Sequence, residues 1–180
     1  MPTTTRLILC LAAALLAVQA AELTIDGKLD EPLWGSEPAR ALVAAEAGVP
    51  AASGGDVRVV TRASYLYLAG RFPEPGGRVL AMSYGRNPVW ERDALESPEV
   101  EDRVIFRLQY KSTAGVPRDV AIAVNPWGAC RIEEGGSAVD SPAVLPAARV
   151  TPEGWTVEVA IPAAALEIGR EGEAVAVRVR

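Results

Sequence analysis

Residues 103–110 sort onto two faces with a period of two. Val104, Phe106, Leu108 and Tyr110 share one face, while Arg103, Ile105, Arg107 and Gln109 share the other. That is the period of an extended strand, whose side chains point alternately to opposite sides. The same period returns where Trp155, Val157, Val159 and Ile161 alternate with Thr156, Glu158 and Ala160. Pro162, which has no amide hydrogen to give to a ladder, ends that run. Val175, Val177 and Val179 alternate with Ala174, Ala176 and Arg178 at the end of the chain. Val57–Thr61 and Tyr65–Phe72 are β-branched or aromatic runs a few residues apart, a hairpin pattern, and Val120–Asn125 follows a turn at Gly115 and Pro117. The 16 glycines and 14 prolines among 180 residues punctuate these runs. Short strands about every ten residues, with no long amphipathic helix, predict an all-β fold, an antiparallel β-sandwich of jelly-roll-like kind.

The beginning of the chain has another character. Arg6 is followed by a 12-residue apolar run, Leu7–Val18, too short to span a bilayer, and by Val18-Gln19-Ala20. This predicts a signal peptide over residues 1–20, cleaved after Ala20, and one domain over residues 21–180 that is secreted or periplasmic and not membrane-spanning. Cleavage removes Cys10 and leaves Cys130 without an intramolecular disulfide partner. After the leader, Glu22–Ile25 reads as a short extended piece closed by Asp26-Gly27. Asp30-Glu31-Pro32 reads as a helical turn with Asp30 as its N-cap.

Composition narrows the chemistry. The chain has no histidine, which removes Ser-His-Asp and Cys-His catalysis and the usual zinc sites. A net charge of −5 with pI near 4.9 gives no basic footprint for a nucleic acid.

Four stretches, in order, resemble the family 9 carbohydrate-binding modules and their wider group of DOMON-like sandwiches. They are Ile25-Asp26-Gly27-Lys28-Leu29-Asp30-Glu31-Pro32-Leu33-Trp34, Tyr65-Leu66-Tyr67-Leu68-Ala69, Asn87-Pro88-Val89-Trp90-Glu91-Arg92-Asp93 leading into Glu101-Asp102-Arg103-Val104-Ile105-Phe106, and Gly154-Trp155-Thr156-Val157-Glu158-Val159-Ala160-Ile161-Pro162. The resemblance implies a non-catalytic module that binds an oligo- or polysaccharide by stacking aromatic rings on sugar faces. Such modules are commonly attached to glycoside hydrolases, so further domains and a part in polysaccharide breakdown are also implied. In the family one sugar-stacking tryptophan lies in an N-P-W-E-x-D stretch, which Trp90 matches with Val89 inserted. Trp90 is thereby the first expected platform, with Asn87, Glu91 and Arg92 as hydrogen-bonding neighbours. The other reading of Trp90 is a loop ring folded back onto the sheet. The family's second stacking tryptophan lies beyond the strand that 174–180 represents, so the expectation is a module lacking its last strands.

The residues themselves add to this. Trp127 sits beside Pro126 in a polar loop, where a ring is less easily buried, and is the second platform candidate. Trp34 is expected to plug one end of the sandwich and Trp155 to lie in the core. One ring on one sugar face removes about 150–200 Å² of apolar surface, worth roughly 4–5 kcal/mol. Association costs at least about 4 kcal/mol, so one platform alone binds very weakly.

The acidic run Glu91, Asp93, Glu96, Glu99, Glu101 and Asp102 offers oxygen ligands, with Asp93, Glu101 and Asp102 the set for a structural Ca2+. Its spacing fits no EF-hand, and two of its carboxylates acting as a glycosidase pair is weaker than a solvated loop. Two other classes stay open. One is a haem b electron-transfer sandwich, for which Met82 and Lys111 are the one ligand pair left without histidine. The other is a structural or interaction domain of a longer exported protein.

Overall fold

The computed structural model describes residues 23–42, 54–74, 76, 78–88, 90, 101–168 and 176–179. The expected signal peptide, Glu91, Arg92 and Asp93 lie outside them. The described strands are, in chain order, β1 (Arg40–Ala41), β2 (Asp56–Arg62), β3 (Tyr65–Pro73), β4 (Val104–Lys111), β5 (Pro117–Val124), β6 (Cys130–Glu134), β7 (Ser137–Ala138), β8 (Leu145–Thr151), β9 (Gly154–Pro162) and β10 (Ala176–Val179). They form two five-stranded antiparallel sheets, ordered β1-β2-β3-β9-β8 and β10-β4-β5-β6-β7. The fold is the expected β-sandwich.

The two-residue period explains the core. Val104, Phe106, Leu108 and Tyr110 of β4 face inward with Val120, Ile122 and Val124 of β5, against Leu66 and Leu68 of β3 and Val157, Val159 and Ile161 of β9. Trp155 belongs to this core, as expected, with its ring tilted against Phe72 at 4.5 Å. Burying one such aliphatic side chain contributes about 1.5–3 kcal/mol, so the facing rows fix which side of each strand points in.

A smaller core covers the outer face of the first sheet. Leu33 and Trp34 from α1 (Pro32–Gly35) pack there on Val60 and Ala69. Trp34 is buried as expected, but against the sheet face and not at the end of the sandwich. Its indole Nε1 donates to Glu158 Oε1 at 2.7 Å and to Glu31 Oε2 at 3.1 Å. The helical turn forms where expected, with Pro32 at its start, but its N-cap is Glu31, not Asp30, and no side chain caps it. Residues 23–25 form no strand, and just after them Asp26 and Gly27 give their amides to the Glu158 side chain. Gly27 itself has φ of +80°, and a Cβ there would stand 2.8 Å from the backbone of Ala148. Only glycine fits so close an approach in that conformation.

Candidate functional site

The site is built by two loops at one end of the sandwich. After β3 the chain runs extended through residues 78–84, with Leu80, Met82 and Tyr84 outward and Ala81 buried. It then joins β6, where Cys130 N donates to Gly85 O at 3.0 Å and Asn87 N donates to Cys130 O at 2.7 Å. The second loop is the tight turn Asn125-Pro126-Trp127-Gly128 between β5 and β6. Asn125 Oδ1 accepts from Trp127 N at 3.1 Å and from Ala129 N at 2.9 Å, and Gly128 N donates to Asn125 O at 2.9 Å. An asparagine that bonds the backbone two residues on is a strong turn former.

The two loops bring Tyr84 and Trp127 together. Their rings stack with centroids 4.5 Å apart and an interplanar angle of 20°. Tyr84 is 71% exposed and Trp127 47% exposed, so the pair stands in solvent with its outer faces open. Exposed, flat, nearly parallel rings are the geometry that takes the C–H face of a pyranose. Trp127 is thus exposed, as its loop position leads one to expect. Tyr84 was not singled out in the sequence, although the alternation through Val79–Tyr84 carries it to the outward side.

Glu101 holds both loops from beneath. It is 2% exposed, and its Oε2 accepts from Met82 N at 2.7 Å, Ser83 N at 3.0 Å and Asn125 Nδ2 at 3.1 Å. Burial alone would raise the pKa of this carboxyl. The amides of Met82 and Ser83, with the Asn125 side chain, outweigh it and hold the group below 4.5. Asp102 Oδ2 accepts from Leu80 N at 2.6 Å, which fixes the same extended segment one step earlier. These two expected Ca2+ ligands therefore serve as acceptors for backbone amides, and the third, Asp93, lies outside the described residues.

Trp90 is where the structure departs most from expectation. It is 5% exposed, donates from Nε1 to Ser83 Oγ at 2.8 Å, and has the Arg103 guanidinium 5.5 Å from its ring centroid. A ring so enclosed presents no face to a sugar; it props the loop that carries Tyr84. Asn87 is spent in the same way, donating from Nδ2 to Val139 O at 3.4 Å and accepting at Oδ1 from Ile132 N at 3.3 Å. Glu91 and Arg92 lie outside the described residues.

The haem alternative fails on distance. Met82 is tied to Glu101, just before β4, whereas Lys111 ends β4. The seven steps from Val104 to Lys111, at about 3.3 Å each, already span roughly 23 Å, and Met82 is held beyond the start of that strand, too far to share one iron. Among the described residues one trio of carboxylates, Asp26, Glu31 and Glu158, has oxygens within 4.8 Å of one another. Asp26 pairs with Lys28, and Glu158, fully buried, accepts from Asp26 N, Gly27 N and Trp34 Nε1. Burial raises the Glu158 carboxyl above 4.5 despite those donors. This group locks the 26–34 segment onto the sheet. No helix among the described residues is long and apolar enough to cross a membrane.

No protein-family model matches the chain, and no curated protein does. Solved structures do. A candidate carbohydrate-binding protein from Bacteroides uniformis aligns over 81% of this chain and 71% of its own, at 15% identity and a TM-score of 0.57. A family 9 carbohydrate-binding module from Caldicellulosiruptor kristjanssonii aligns over 77% of this chain at 16% identity, with a TM-score of 0.50 in its glucose complex and 0.51 in its cellotriose complex. The likeness is one of fold. The chain spans 63% and 62% of the length of the two module structures.

Proposed function

We propose that the chain is an exported, non-catalytic domain that holds a saccharide on the Tyr84–Trp127 ring pair and works beside polysaccharide-degrading domains. The stacked, solvent-facing pair is the observation that carries this reading. It is supported by the likeness of fold to a module solved with glucose and with cellotriose. Stacking fixes the orientation of the ring that meets the sugar, which lowers the ordering cost that a single free ring barely offsets. The leader-like residues 1–20 supply the argument for export.

A pull-down on insoluble cellulose and xylan tests it, comparing wild type with Trp127→Ala and Tyr84→Ala. Retention should fall about tenfold in each variant with little change in melting temperature, since exposed rings contribute little to the fold. Equal retention of wild type and both variants sinks the platform. Leu80 and Met82, exposed next to Tyr84, extend the apolar strip and favour a second reading, a docking face for another protein domain. That reading predicts no retention on any polysaccharide.

A further inference from the structure

A recess lies on the outer face of the first sheet, beside the segment that covers it. It holds about 650 Å³ and includes Lys28, Asp30, Arg71, Arg149, Glu153 and Thr156 in its lining. The ladder arranges its floor. Thr156 of β9 lies directly opposite Arg71 of β3 on one side and Arg149 of β8 on the other. Directly opposed residues of an antiparallel sheet share a face, so the two arginines flank Thr156 in one row, about 10 Å apart at the backbone. Thr156 Oγ1 donates to Gly27 O, which ties that floor to the covering segment.

The guanidinium groups of this row have no hydrogen-bonded or ion-paired partner among the described residues, although Asp30 and Glu153 lie in the same lining; the Arg149 charge also acts on Asp26, which is already paired with Lys28. Elsewhere arginines are engaged, as Arg118 is with Glu134 and Glu167. In a chain of net charge −5, two such guanidinium groups lining one recess on either side of Thr156 make a local anion site. The free carboxylates of Asp30 and Glu153 then select the rest of the ligand. They repel a bare anion but accept hydrogen bonds from hydroxyl groups. A molecule with a carboxylate and several hydroxyls matches both demands.

We infer that this recess binds the uronic acid residues of an acidic glycan, with Arg71 and Arg149 on the carboxylate and Asp30 and Glu153 on ring hydroxyls. The inference rests on the proposed saccharide role for the kind of molecule, and on the arginine row for the place. The turn that carries Trp127 approaches the same strand, since a Cβ on Gly128 would stand 3.6 Å from the amide of Ala148, the residue before Arg149.

Calorimetric titration with trigalacturonic acid, cellotriose and inorganic phosphate tests it, at 50 and 500 mM NaCl. The proteins are wild type, the Arg71→Gln/Arg149→Gln double variant and Trp127→Ala, with melting curves to confirm folding. Wild type should bind trigalacturonic acid, and more weakly at the higher salt. Each arginine lost should weaken that binding about fivefold, with cellotriose binding unchanged. Undiminished trigalacturonate affinity in the double variant overturns the inference. So does a wild type that ignores trigalacturonate, or one that binds phosphate equally well. Failure of the ring-pair reading shows separately, as cellotriose binding that survives Trp127→Ala.

Discussion

Asn125 and Glu101 meet inside the sandwich end, with Asn125 Nδ2 3.1 Å from Glu101 Oε2. Both side chains are buried, and each reaches a different loop. Glu101 takes the amides of Met82 and Ser83, next to Tyr84, while Asn125 takes those of Trp127 and Ala129 and also donates to Ser83 O at 2.9 Å. The stacking of the two exposed rings is therefore set by a polar pair buried beneath them.

Asn125→Ala tests that arrangement. It removes the acceptor of two backbone amides, one of them buried, and a donor to Glu101. An unsatisfied buried donor costs about 1–3 kcal/mol, so urea unfolding should show a loss of about 2–4 kcal/mol. The near-ultraviolet circular dichroism of the stacked rings should weaken even at temperatures where the fold persists. An unaltered ring signal in a folded Asn125→Ala protein contradicts the role.

Acid should loosen the same pair. The folded-state pKa of Glu101 lies below 4.5, so its stabilising contribution is complete above pH 4.5 and is lost as pH falls through the folded value. The ring signal of wild type should therefore hold down to about pH 4.5 and drop beneath it. Glu101→Gln carries no such charge, and its ring signal should be weaker throughout but flat across this range. A step of equal size in the variant assigns the acid sensitivity elsewhere.

The sandwich was legible because its evidence is local. Val104–Tyr110 and Trp155–Ile161 announce their faces by alternation, and both runs are strands with those faces buried. β8, with Pro146 and two alanines among seven residues, carries too little apolar contrast at the sheet edge to announce itself. The site was half legible. Trp127 follows from its place beside a proline in a tight turn. Trp90 sits in just such a context and is buried, because Ser83, seven residues before it, and Arg103, thirteen residues after it, enclose it. That closure depends on Glu101, Asp102 and Cys130 holding the 80–87 segment in place, and neither spacing nor loop composition records it. Tyr84 is hidden in the sequence for another reason: its partner ring, Trp127, lies forty-three residues further along the chain.

Glu158 makes the last case, with the opposite sign to Glu101. Its carboxyl is raised above 4.5 chiefly by burial, so the stability it contributes is full below pH 4.5 and is lost as pH rises through the folded value. Glu158→Ala strips the acceptor from Asp26 N, Gly27 N and Trp34 Nε1 together. At about 1–3 kcal/mol for each donor left buried, the loss should be on the order of 3–5 kcal/mol and should release the segment that covers the outer face of the first sheet. Glu158→Gln keeps one acceptor and cannot titrate. The advantage of wild type over Glu158→Gln, measured by urea unfolding at pH 4.5 and pH 7.5, should therefore shrink at the higher pH. An advantage that grows between those two pH values means that the buried carboxylate is favoured in its charged form, and that the three donors outweigh the cost of burying it.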